Sequence, residues 1–321
     1  MEQFDLFGNP IHAATAAVPA VKPLKVRWSF SRLGAFASCP RKGYYHYFGG
    51  SKRKAKTEPH KERIQFLKDL STGQLVAGEI AHRAIKAYLT NARDGQIWKM
   101  SQMVSFAYKL LDDSIRHTSE VTAGAVREYD FRAPAIIQEL YYGSVTVDDL
   151  RDELREKLRL SLEHFYLLDD FKPLRDGALN ADSLIERKIV LEYEGILIEG
   201  AIDLMFPTDE GWIIADWKTG QNDSEESSLQ LLTYALWAHE EFSIPLEAIS
   251  LYKAFLQEGV LEPLLFSAQE LRRARARILQ DVELLKEMEE FGDAGMVEAF
   301  SACGQPKVCA QCAYQEICSK S

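Results

Sequence analysis

The 321-residue chain has no apolar run approaching the roughly 20 residues that a membrane-spanning helix needs, and its start, MEQFDLFG, lacks the basic stretch of a secretory signal. Both absences lead to the expectation of a cytoplasmic protein. No GxxxxGK[ST] segment is present, so no ATP motor is expected in this chain, and any translocation must come from a partner. Cysteine is scarce: of five residues, Cys303, Cys309, Cys312 and Cys318 fall near the end and Cys39 lies far upstream. In a cytosolic chain these are not expected to oxidise to disulfides. Excess positive charge is missing as well, with a formal net charge of -10, which argues against general adhesion to nucleic acid. The charge is unevenly spread, however. From Lys22 to Arg63, twelve Lys or Arg stand against Glu58 and Glu62, a local +10 that leaves -20 for the remainder. Such a footprint on an acidic body suits phosphate binding, and it equally suits a solvated charged loop.

The most informative stretch runs from Gly200 to Gly220, GAIDLMFPTDEGWIIADWKTG. Two runs rich in β-formers, Gly195 to Phe206 and Gly211 to Trp217, flank the turn composition Pro207, Thr208, Asp209 and Glu210. Asp216 and Lys218, two apart on a strand, point the same way, and an antiparallel partner can set Asp203 beside them. Two carboxylates about 4 Å apart repel by roughly 4 kcal/mol at an effective dielectric of ~20. A divalent cation removes that conflict. Oxygen ligands suit Mg²⁺ or Mn²⁺, and a metal that bridges a phosphate oxygen and a water is recurrent machinery for phosphodiester hydrolysis. The same three residues also suit a surface hairpin whose lysine pairs with an acid.

Along the rest of the chain, Gln3 to Phe7 read QFDLF, ahead of an Ala/Pro/Val-rich run through Pro23 that is too poor in large side chains to pack. Residues 1–8 are therefore expected to form an arm on a linker over 9–24, with the main domain spanning 25–321. In WSFSRLGAFASCPRKGYYHYF, Trp28 to Phe48, Ser31 is the expected N-cap of a helix whose face is Leu33, Phe36 and Ala37, ending at Cys39-Pro40. The cations and aromatics that follow could hold a nucleic acid strand, but most of the aromatics are expected in the core. Gly78-Glu-Ile-Ala-His82 lies on a helix, where the glycine admits another backbone and leaves the imidazole room to reach a metal; a core histidine is the plainer alternative. The 3.6-residue periodicity from about Trp98 to Leu168 indicates a helical insertion, taken as residues 98–180, with acidic outer faces. Leu184 to Tyr193 is an expected strand leading into the hairpin. Gln230 and Tyr234, i and i+4, share one helix face, opposite Leu231, Leu232, Ala235 and Leu236. A strand over Ala248 to Phe255 and a helix over Ala268 to Phe291 complete the body, with RRARAR as a further phosphate contact or a solvated face. In the tail, residues 300–321, C-x2-C-x5-C is metal-ligand spacing that needs a fourth donor, for which Cys39 and Cys303 compete.

Taken in order, Ser31 to Tyr45 with CPRK, Gly78 to His82, Asp203, Asp216-Trp-Lys218, the Gln230/Tyr234 pair and the cysteine tail resemble the RecB-type nucleases of the PD-(D/E)XK superfamily. Within it they are most similar to the iron-sulfur branch of CRISPR-associated adaptation nucleases and helicase-nuclease B subunits. The resemblance covers roughly residues 28 to 318. It implies an α/β fold with a restriction-endonuclease-like core, a helical insertion and a Cys-rich iron-sulfur region. It further implies a metal held by His82, Asp203, Asp216 and the Trp217 carbonyl, with Lys218 stabilising charge and Gln230 and Tyr234 positioning phosphate. A 4Fe-4S cluster would be held by Cys39, Cys309, Cys312 and Cys318, with zinc as the rival. The implied activity is a Mg²⁺- or Mn²⁺-dependent deoxyribonuclease, more exo- than endonuclease, acting on single strands or ends in DNA repair or antiviral defence. The alternative is a non-catalytic DNA-binding or assembly subunit. DNA, and a helicase or other nuclease-complex subunit, are the implied partners, with no membrane. QFDLF resembles the glutamine-led pentapeptide that docks bacterial proteins on the replication sliding clamp, with Gln3, Leu6 and Phe7 as anchors; packing on the protein's own surface and disorder with no role are the other expectations for it.

Overall fold

The computed structural model describes residues 26–51, 58–124, 133–193, 195–220 and 225–318. β1 (Arg27–Trp28) leads into α1 (Phe30–Ser38), α2 (Pro40–Tyr44) and a π-helical turn (Tyr45–Gly49). α3 (Lys61–Leu67), β2 (Leu70–Ser71) and α4 (Gly73–Arg93) follow, then α5 (Met100–Thr122), β3 (Ile136–Ile137), α6 (Gln138–Tyr141), α7 (Val147–Leu167) and α8 (Lys172–Gly177). The hairpin strands are β4 (Leu184–Tyr193), β5 (Ile196–Thr208) and β6 (Gly211–Lys218). α9 (Glu225–Phe242), β7 (Ile249–Phe255), β8 (Val260–Leu264), α10 (Ala268–Asp293) and α11 (Pro306–Ala310) complete the order.

Local chemistry sets most of these boundaries. Ser29, not Ser31, caps α1 by accepting from Arg32 N, because the chain turns helical two residues earlier than expected; Ala37 is exposed, and Leu33 and Phe36 alone of the expected face are buried. Thr72 and Thr146 cap α4 and α7 in the same way, and Ser267 with Glu270 closes a capping box on α10. The helical insertion is not purely helical. Its Ile136 and Ile137 pair in parallel with Leu70 and Ser71, a two-residue ladder too short to leave a period in the sequence.

In the main sheet β5 pairs antiparallel with β4 and β6, β6 runs parallel to β7, and β8 closes the far edge antiparallel to β7. β1 adds parallel to the start of β5. The parallel β6–β7 step requires a crossover, and α9 is that crossover. α4, α5 and α7 cover one face with Leu204, Phe206, Ala215 and Trp217; α9 and α10 cover the other with Ile202, Met205 and Ile214. A third core, rich in aromatics, joins Trp28, Tyr44 and Phe48 to Phe300 and Tyr314 of the tail. It is tied to α10 through Trp28 Nε1, which donates to Asp281 Oδ2 at 3.3 Å, and through the buried Arg32–Glu289 ion pair. Most of the aromatics after Cys39 are thus core, as their apolar area favours. No helix among the described residues is long and apolar enough to cross a membrane.

Candidate active site and a cysteine-lined pocket

The strand alternation of β5 slips once. Ile202 and Met205 join the same core although they are three apart, while Leu204 and Phe206 face the opposite one. Asp203 lies at this slip, between the register pairs Ile185–Leu204 and Arg187–Ile202, so Glu186 stands across from it on β4. Glu186 has φ +49°, a left-handed backbone that costs a glutamate about 1–2 kcal/mol and that persists where surrounding contacts impose it. Together the slip and the turned backbone bring both carboxylates to α4. His82 Nδ1 is 3.2 Å from Glu186 Oε1 and 3.2 Å from Asp203 Oδ1, and one donor atom from each of the three residues lies within 4.8 Å of the others.

α4 approaches closely enough because of Gly78, one turn before His82. A Cβ there would lie 2.8 Å from Thr219 Oγ1, immediately after Lys218, so a larger residue would force the threonine hydroxyl to shift. On the far side Gly200 does the same for α9: a Cβ would be 3.0 Å from Tyr234 Cε1.

Asp203 and Asp216 are 4% and 3% exposed. Asp203 Oδ2 accepts from Trp217 N at 2.7 Å, which locks β5 to β6 between Asp216 and Lys218. Lys218 Nζ stands 2.5 Å from Asp216 Oδ2 and donates to Gln230 Oε1 at 3.0 Å; Gln230 Nε2 donates to Tyr234 Oη at 2.6 Å. Burial and the nearby Asp203 push the Asp216 carboxyl up to about 6, against the pull of Lys218. Burial alone would lower the His82 pKa, but the Asp203 and Glu186 carboxylates outweigh it and hold it well above its ordinary value. Burial and both aspartates raise the Tyr234 phenol, which keeps its proton.

The donor set fits a divalent cation. It consists of one imidazole and hard carboxylate oxygens gathered from α4, β4, β5 and β6, and Asp216 Oδ2 is buried with the Lys218 ammonium close by but no aligned hydrogen bond. Of the residues anticipated from sequence, His82 and Asp203 share a donor cluster with Glu186, and Asp216, Lys218, Gln230 and Tyr234 form a chain of contacts beside it. The Trp217 side chain turns into the core against Phe165, leaving its backbone beside the acids. Glu186 was not anticipated. The signal was available, since pairing Tyr193 with Ile196 fixes a register that puts residue 186 across from 203. Lys253 was missed too: it lies on the buried face of β7, in register with Asp216, and donates to Ser228 Oγ at 2.7 Å. Its signal was a charge on the apolar beat of Ile249, Leu251 and Lys253.

A second pocket gathers all five cysteines, Cys39, Cys303, Cys309, Cys312 and Cys318, beside Arg41 and Lys42. All are free, and Cys303 Sγ is 4.0 Å from Cys309 Sγ. Burial pushes the Cys312 and Cys318 thiols up, and the surrounding cysteines, Cys39 among them, add to it. Thiols raised in this way ionise against a bound cationic centre, and five sulfurs lining one pocket fit a thiolate-held metal or cluster. Cys39 and Cys303 both line the pocket. Gln3, Leu6 and Phe7 lie outside the described residues.

A mixed sheet with acids, a lysine and a histidine converging where two of its strands meet defines a nuclease-type core. The chain belongs to the PD-(D/E)XK nuclease superfamily, whose family model matches residues 27–319. No curated protein matches the chain.

Proposed function

We propose that this protein is a Mg²⁺- or Mn²⁺-dependent deoxyribonuclease that acts on single strands or ends. The observation that carries the reading is the cluster of His82, Glu186 and Asp203, whose donor atoms lie within 4.8 Å of one another, with the Asp216–Lys218 pair beside it. His82, Asp203 and Asp216 would hold the cation with the Trp217 carbonyl, and Glu186 completes the acidic wall. When bound, the metal supplies Lewis acidity toward the phosphate and a more acidic water. Hydrolysis forms one P–O bond from water and breaks the P–O bond to the leaving sugar.

Lys218 is the fixed cation beside the place where negative charge grows on phosphorus, and a pre-placed charge counts most there. Gln230 holds the ammonium with its Oε1 and Tyr234 with its Nε2, so α9 sets the lysine's position. Tyr234 stays protonated and can donate to a phosphate oxygen. The recessed carboxylates favour a strand freed from its partner over an intact duplex.

In the second pocket, Cys39, Cys309, Cys312 and Cys318 are assigned to a 4Fe-4S cluster that clips the N-terminal segment to the tail, with Cys303 as the spare thiol. The arm over residues 3–7 is assigned to docking on the replication sliding clamp, which would raise the local enzyme concentration at replicating DNA. The deciding experiment is cleavage of end-labelled single- and double-stranded DNA with Mg²⁺ or Mn²⁺, wild type against Asp216→Ala. Metal-dependent shortening by the wild type alone is expected; equal activity of the two proteins overturns the reading.

A further inference from the structure

The cations of this acidic chain are not spread at random around the site. Along the helical insertion the arginines are matched: Arg116 with Asp113, Arg151 with Asp148, Arg155 with Asp112, and Arg159 with Glu156 and Glu163. Beside the candidate active site the pattern reverses. Arg83 and Lys86 on α4, and Arg187 and Lys188 on β4, are all exposed, and among the described residues none of the four forms an ion pair. Glu79 on α4 and Asp182 ahead of β4 are the nearby exposed acids.

Their placement follows from the site's own geometry. Arg83 adjoins His82, and Lys86 is i+4 from it on α4. Arg187 and Lys188 directly follow Glu186, which contacts His82. Further along, Arg93 Nη1 donates to the Ser183 carbonyl at 3.2 Å, so α4 runs beside the opening of β4; Lys188 lies on the α4 face of that strand and Arg187, in register with Ile202, on its α9 face, so the cations stand on both sides of the sheet edge. Among the described residues β4 pairs with β5 alone, which leaves it at the sheet edge.

Resting on the nuclease reading above, the geometry points to a phosphate track: Arg83, Lys86, Arg187 and Lys188 receive the backbone of a single DNA strand and lead it across the sheet edge to His82, Glu186 and Asp203. Long, unpaired cations in an otherwise acidic surface hold successive phosphates without reading bases, and net acidity elsewhere repels the strand from other paths. Such a track makes binding strongly salt-dependent and indifferent to sequence. Arg272 and Arg273 on α10 are also exposed and without a described ion pair, but they do not adjoin the site and serve as the control.

The test compares full-length wild type, R83Q/K86Q/R187Q/K188Q and R272Q/R273Q. Binding of a fluorescein-labelled oligo-dT is measured by anisotropy across a potassium chloride series with Ca²⁺, and its single-turnover cleavage is measured with Mn²⁺ at saturating enzyme. The quadruple variant should bind on the order of 100-fold more weakly at intermediate salt, with the slope of log affinity against log salt reduced by about 2 to 3, since each phosphate contact on a single strand contributes about 0.7. Its saturating cleavage rate should stay within about threefold of wild type, and R272Q/R273Q should behave as wild type. If the quadruple variant melts early, the pairs R83Q/K86Q and R187Q/K188Q are read instead, each with about half the slope change. A wild type that cleaves while the quadruple variant keeps its full salt slope overturns the track and leaves the nuclease reading standing. A wild type that neither binds nor cleaves overturns both.

Discussion

The backbone N–H of Trp217 donates to Asp203 Oδ2 at 2.7 Å, so a site carboxylate is also a fastener between two strands. Its charge and its hydrogen bond can be separated. Asp203→Asn keeps an acceptor and should unfold in urea near wild type while losing at least about 100-fold in cleavage. Asp203→Ala strands the buried N–H and should cost about 1–3 kcal/mol of stability as well. Equal stability of the two variants would show that the fastener carries nothing.

The Lys218 ammonium lies between Asp216 and Gln230 at the end of β6. Lys218→Ala should lower Mn²⁺-dependent cleavage by about 10²–10³ while DNA retention in a filter-binding assay is kept. Persistent cleavage would remove the role assigned to the ammonium.

Glu186 occupies a left-handed backbone that glycine adopts freely. Glu186→Gly should therefore be about 1 kcal/mol more stable than Glu186→Ala, although both lose the carboxylate. Calorimetric titration should show both binding Mn²⁺ more weakly than wild type; unchanged Mn²⁺ affinity would take Glu186 out of the site.

Burial, with help from Lys68 and Lys42, lowers the His46 pKa to about 4, and its Nδ1 lies 3.2 Å from Tyr314 Oη. The folded pKa is below the unfolded value of 6.5, so between these pH values the unfolded chain holds more protons and stability falls as pH falls. About 2.5 pH units correspond to about 3 kcal/mol, present above pH 6.5 and gone near pH 4. His46→Gln should flatten that part of the stability–pH curve; an unaltered curve would refute the assignment.

Cys312 shares its pocket with the other four cysteines. Cys312→Ser should lose bound iron or zinc, measured by elemental analysis, together with thermal stability. A metal-free variant that melts like wild type would mean the tail is not clipped by a bound centre.

What the linear chain determined by itself are the features written in short periods: the β5–β6 hairpin, the α9 face of Gln230 and Tyr234, the α4 placement of His82 and the C-x2-C-x5-C spacing. These depend on neighbours two to five residues away, where side-chain direction follows from strand and helix geometry. The register that opposes Glu186 to Asp203, seventeen residues on, was legible in the sequence, but tertiary structure decided that Glu186 faces His82 from a left-handed backbone, because the slip in β5 alternation comes from packing two different cores on one strand. It also decided that Lys253 lies buried beside Asp216, and that Cys39 and Cys303 both reach the tail's pocket, since such meetings arise only when separate elements close over a shared interior.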